Sequence, residues 1–121
     1  MTVINGLLNE IQMESIHKKG DCYINCSHSE GVGMGAVEAA VRNKPVIISD
    51  FGGLSEYVQT PFVVPCAVGP CGISDFLFQP HMHWGFPDPL KLKEHMKYVY
   101  DNQVKEGNAK FTLEVVSNIV L

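Results

Sequence analysis

Three consecutive branched aliphatic residues, Val46-Ile47-Ile48, stand between Asn43-Lys44-Pro45 and Ser49-Asp50. A strand with one wet face alternates apolar and polar side chains, so an unbroken apolar run of this length requires cover on both sides, the habit of a parallel sheet wrapped by helices. The flanking sequence repeats the theme. Asp21 to Cys26 alternates, with Cys22, Ile24 and Cys26 on one face, and Phe62-Val63-Val64 is another short apolar run. Between these strands lie an alanine-rich helical stretch, Met34 to Arg42, and a shorter one, Leu54 to Val58. The succession strand, helix, strand, helix, strand predicts an α/β fold built on a parallel, doubly wound, Rossmann-like sheet. In such a sheet ligands collect beyond the carboxyl ends of the strands. The loops Ser27 to Gly33 and Asp50 to Gly53 are expected to share that edge.

The rest of the chain is organised around this core. Leu7, Leu8, Ile11 and Ile16 recur at near-helical spacing from about Gly6, and Lys18-Lys19 before Gly20 supply a cationic last turn and a stop. Residues 65–87, with four prolines and the aromatics Phe76, Phe78, Trp84 and Phe86, have no period and predict a long ordered insertion. Asp88-Pro89 is a cap followed by a first-turn proline, and Leu92, Met96, Val99 and Gln103 trace one helical face toward Gly107. A last helix is predicted over about Ala109 to Val120. With 121 residues and 45% hydrophobic content, the chain is expected to form a single domain, 1–121.

Charge excludes several functions. Thirteen acidic against nine basic residues leave a formal charge of −4, and Arg42 is the one arginine, so there is no basic footprint for nucleic acid. The apolar runs are too short for an integral membrane segment, and Met1 to Met13 lacks the marks of a signal peptide, which predicts a cytoplasmic chain. Reduced thiols are then expected. Cys22 and Cys26, four apart in an extended strand, are roughly 13 Å from each other, beyond disulfide reach. Cys66, Cys71, His81 and His83 are possible zinc ligands, but their spacing matches no frequent structural site, so packing is the expected role and no metal is predicted.

The segment Ser29-Glu30-Gly31-Val32-Gly33-Met34-Gly35-Ala36-Val37-Glu38 carries the chemistry. Three glycines at a helix start let backbone approach a ligand closely, and the unpaired amides and positive pole there favour an anion such as a diphosphate. Met34, Val37 and Val41 are expected to form the apolar stripe of this helix, with Glu38 inside it. A buried carboxylate needs partners. Either Arg42 at i+4 supplies one, or ligand hydroxyls do. An anion at the helix start would sit between Glu30 and Glu38, so a molecule with hydroxyls at both ends and a diphosphate in the middle, a nucleotide sugar, fits the spacing.

Glu30-x7-Glu38, followed by N-K-P-V-I-I-S-D and F-G-G-L-S-E-Y-V, resembles the donor-binding domain of retaining GT-B glycosyltransferases of the family-four type. The likeness runs from about Asp21 to Val58. It implies that Glu30 is the catalytic glutamate touching the donor sugar, that Gly31, Val32, Gly33, Met34 and Gly35 hold sugar and diphosphate, and that Glu38 binds ribose hydroxyls. It also implies sugar transfer from a nucleotide-diphosphate sugar with retention, without metal or other cofactor. Members of the family carry an N-terminal acceptor domain and an Arg and a Lys for the diphosphate. No part of this sequence matches these, so the resemblance implies a partial C-terminal domain that needs the missing acceptor domain or a partner chain. The alternative is a truncated, non-catalytic nucleotide-binding or assembly module on the same scaffold.

Other residues have open roles in the sequence. His28 is expected as an exposed loop histidine; Asp50 and Glu56 are either helix or loop caps or neighbours of the site. The aromatic group is expected to cover the sheet, meet a missing domain, or stack on a base.

Overall fold

The computed structural model describes residues 1–106, so the helix expected over 109–120 lies outside the described residues. Three strands, β1 (Tyr23–Asn25), β2 (Val46–Ser49) and β3 (Phe62–Val64), form a parallel sheet in the order β1-β2-β3. Tyr23 pairs with Val46 and Ile47 with Phe62, so the apolar run of β2 is the central strand, and all four of its residues are buried. The helix α2 (Met34–Val41) connects β1 to β2, and α3 (Gly53–Tyr57) connects β2 to β3.

Burial divides the core by the two-residue period of β2. Val46 and Ile48 face α2 and α3 and pack with Ala36, Val37, Ala39, Ala40, Leu54 and Val58, with Tyr23 at the margin. Ile47 points the other way, into a cluster with Phe62, Val64 and Val99 that Cys22, Cys26 and Leu92 complete. Val99 and Leu92 belong to α4 (Pro89–Asp101), so helices lie on both faces, as the apolar run of β2 requires. Burial pushes the Cys22 thiol up to about 11, with the charge of Asp21 adding to it, and all four cysteines are free.

Several local expectations are corrected. The first helix, α1, spans Glu10–Lys19 and starts later than Gly6, because Asn9 and Gln12 form a reciprocal capping box that Gly6-Leu7-Leu8 cannot offer. Its buried residue is His17, whereas Leu7, Ile11 and Ile16 are exposed. In α2 the buried face is Ala36, Val37, Ala39 and Ala40, while Met34 and Val41 point outward. Small alanine side chains let the helix lie close to the sheet, so the bulky residues take the outer face and Glu38 sits at the margin of the packed side. The α4 helix has the Asp88 cap on Leu90 and the first-turn proline expected, but ends at Asp101, and Gln103 takes a positive φ beyond it.

Residues 65–87 hold regular structure that was not predicted. Strands β4 (Cys66–Pro70) and β5 (His83–Pro87) pair antiparallel, Cys66 opposite Pro87 and Pro70 opposite His83. Both strands are edges, so prolines at their ends cost no ladder bond, and the glycines and prolines that disguised the segment are tolerated. Among the described residues no helix is long and apolar enough to cross a membrane.

Candidate functional site

Two loops leave the carboxyl edge of the sheet and press against each other. Gly53 N donates to Glu30 O at 2.9 Å, and a Cβ on Gly53 would overlap the Gly31 carbonyl. At Gly52 a Cβ would stand 2.9 Å from Glu30 O, and φ is +74° there, so glycine is required on both counts. The Phe51-Gly52-Gly53 turn therefore acts as the template on which the 27–33 loop is moulded. Asn25 shapes the loop from its start. Its side-chain oxygen accepts from Ser27 N at 3.1 Å and Ser27 Oγ at 2.8 Å, and its amide donates to Glu30 Oε1 at 3.4 Å. Ser49, buried at the end of β2, donates to Ser27 O at 3.0 Å.

Gly33 then caps α2 in the left-handed conformation, with φ +74° and no side-chain cap. Ala36 and Val37 donate to Gly33 O at 3.0 and 3.2 Å. Among the described residues, the amides of Gly31, Val32, Gly33, Met34 and Gly35 donate to no protein acceptor. These five consecutive N–H groups lie at and just before the N-terminal, positive pole of α2. Gly35 is glycine for a further reason: a Cβ there would collide with the Tyr23 hydroxyl.

Tyr23 relates the two glutamates. Burial holds its hydroxyl above the ordinary value, the nearby Asn25 side chain opposes that, and the negative charges of Glu30 and Glu38 add to it. Both carboxylates thus lie within electrostatic reach of one phenol seated at the first turn of α2. Glu30 is part-buried in the loop. Glu38 is 41% exposed, and its Oε2 lies 3.1 Å from Nε2 of the buried His17. The expected Glu38–Arg42 side-chain pair does not form. The Arg42 guanidinium instead binds Glu14 of α1 through two nitrogens and donates to the backbone oxygen of Glu38 at 2.9 Å.

The β4–β5 ribbon closes the loop's outer side. His28 and Gly85 exchange hydrogen bonds, Gly85 N to His28 O at 3.1 Å and the His28 ring to Gly85 O at 3.0 Å. The His28 ring stacks on Trp84 with centroids 4.8 Å apart and planes 6° from parallel, and Phe78 meets Trp84 edge-on. His28 is exposed, as expected, yet it is also a joint between loop and ribbon. Cys71 is buried with its thiol donating to Gln79 O at 3.0 Å, and among the described residues no three His, Cys, Asp or Glu side chains gather to hold a metal. A groove of about 800 Å³ lies elsewhere, between the β1 edge of the sheet and α4, floored by Cys22, Ile24, Ile47 and Val99. It does not include any of Gly31 to Gly35.

Sequence reasoning put Glu30, the glycines and Glu38 around one helix start but missed His17, Asn25 and Tyr23. Tyr23 and Asn25 alternate with Cys22, Ile24 and Cys26 in and beside β1, and that alternation is the signal that would have aimed them at α2.

The three-stranded parallel sheet, covered by helices on both faces and carrying two glycine-bearing loops at its carboxyl edge, defines a Rossmann-like α/β domain. The family model described as Glycosyl transferases group 1 matches residues 3–65, just over half of the chain, and the chain belongs to that family. The match covers α1, both site loops and all three parallel strands. No curated protein matches the chain.

Proposed function

We propose that this chain supplies the donor-binding half of a retaining GT-B glycosyltransferase of the family-four type, taking a nucleotide-diphosphate sugar. The observation that carries the reading is the run of five free amides from Gly31 to Gly35 between two carboxylates. The diphosphate lies against these amides, the sugar hydroxyls meet Glu30, and the ribose hydroxyls meet Glu38. As the bond from the anomeric carbon to the diphosphate oxygen breaks, negative charge grows on the leaving group, and amides already aimed at it stabilise that charge without reorganising. The acceptor hydroxyl attacks from the face the diphosphate leaves, giving its proton to the departing phosphate oxygen, which keeps the anomeric configuration. The acceptor side comes from an N-terminal domain or a partner chain, and residues 1–121 act as one C-terminal unit in the cytoplasm, with no metal required.

Calorimetric titration of the chain with UDP, GDP and ADP tests the proposal. Binding of one of them that survives a chelator and is lost in Glu38→Ala supports it; no binding by the wild-type chain refutes it.

A further inference from the structure

The antiparallel contact between α1 and α2 is polar where packed helices are ordinarily apolar. Glu14 meets Arg42 and His17 meets Glu38, so steps of three residues on α1 match steps of four in the opposite sense on α2. His17 is the buried residue of α1, at 8% exposure, and its ring stacks on Tyr23 with centroids 6.3 Å apart and planes 26° from parallel. Its position is therefore fixed by packing, and Nε2 is aimed at one oxygen of Glu38, 3.1 Å away. The other oxygen, Oε1, has no protein partner among the described residues, and the side chain is 41% exposed. One carboxylate oxygen is held, and the other is left for a partner from outside the described residues.

We infer that His17 is a positioning residue for the donor site: it holds the Glu38 carboxylate in the orientation that receives the ribose hydroxyls. The inference rests on the role proposed for Glu38 and adds to it the group that makes that role possible. A glutamate on the surface of a helix samples several rotamers, and a ligand that needs one of them must freeze the rest on binding. A buried imidazole stacked on Tyr23 removes that cost beforehand, which is preorganisation. Arg42, the partner suggested by i+4 spacing, cannot serve, because its guanidinium is committed to Glu14 and to the Glu38 carbonyl.

The test is a double-mutant cycle on nucleotide binding by the full chain, using whichever of UDP, GDP and ADP binds the wild type most tightly. His17→Leu weakens binding by about tenfold, the cost of one unfrozen side chain. His17→Gln, whose amide can donate over a similar reach, stays within about threefold of wild type. In a Glu38→Gln background His17→Leu adds no further loss, because the group it acts through is already disabled. Thermal melts accompany each variant; should His17→Leu fail to fold, His17→Asn, too short to reach Glu38, must show the same loss and the same absence of effect in Glu38→Gln. Losses that add in the double variant, or wild-type affinity in both His17→Leu and His17→Asn, overturn the role of His17 while leaving that of Glu38 intact. A wild-type chain that binds none of the three nucleotides overturns both.

Discussion

The two ends of the proposed site are built by different means. At the loop end, the backbone of Glu30 is fixed by main chain: its carbonyl accepts from Gly53, and Gly52 and Gly53 leave no room for side chains, while Asn25 sets the turn before it and makes a long contact to its carboxylate. At the helix end, Glu38 is fixed by side chains drawn from another helix, with His17 on its carboxylate and Arg42 tying α2 to Glu14. Backbone moulding leaves little freedom for change, since one added methyl group meets a carbonyl. Side-chain bracing tolerates substitution and gives graded effects. The loop end should therefore fail abruptly, and the helix end by degrees.

Gly53→Ala is the harshest test of that contrast. The new Cβ overlaps the Gly31 carbonyl, so the loops must part, with a loss of ~3 kcal/mol in urea unfolding and of nucleotide binding. Glu30→Gln separates the two ends by ligand. It should weaken a nucleotide sugar about tenfold or more, as expected for a lost hydrogen bond to a charged group, and leave the bare nucleotide diphosphate unchanged. Glu38→Gln should weaken both ligands alike. Gly35→Ala comes next: its Cβ strikes the Tyr23 hydroxyl, a loss of about 1–2 kcal/mol that Tyr23→Phe should partly restore, measured as a double-mutant cycle in urea.

The smallest effect belongs to the outer brace. The Arg42 guanidinium, through its hydrogen bond first, holds the Glu14 carboxyl below its ordinary value of 4.5. A depressed folded value means that the pair stabilises the fold above about pH 4.5 and ceases to do so as pH falls through the lowered value. Melting curves of the wild type and Glu14→Gln should thus differ slightly at pH 7 and converge in acid. A difference that persists at pH 2 would show that the charge of Glu14 is not its source.

What the sequence made legible follows the same division. The apolar run of β2, the glycines and the E-x7-E spacing are local patterns with local physical causes, so the parallel sheet and the shared edge of the two loops could be read from them. The partner of Glu38 lies 21 residues away on a helix whose apolar residues suggested the wrong buried face. Local spacing favoured Arg42, and nothing in α1 announces that a histidine is its inward residue. The β4–β5 ribbon was hidden for a related reason. Its strands are held by pairing with each other and by the Gly85–His28 joint, and their glycines and prolines erase the alternation that marks a strand.

The central claim is that the amides of Gly31 to Gly35 receive a diphosphate. Amide-resolved NMR of the ¹⁵N-labelled chain, titrated with the nucleoside diphosphate that binds most tightly, addresses it directly. Saturable shifts that are largest at Gly31, Val32, Gly33, Met34 and Gly35, and that vanish in Gly53→Ala, are the predicted result. Shifts concentrated instead along Cys22, Ile24 and Val99, in the groove between β1 and α4, would contradict the account.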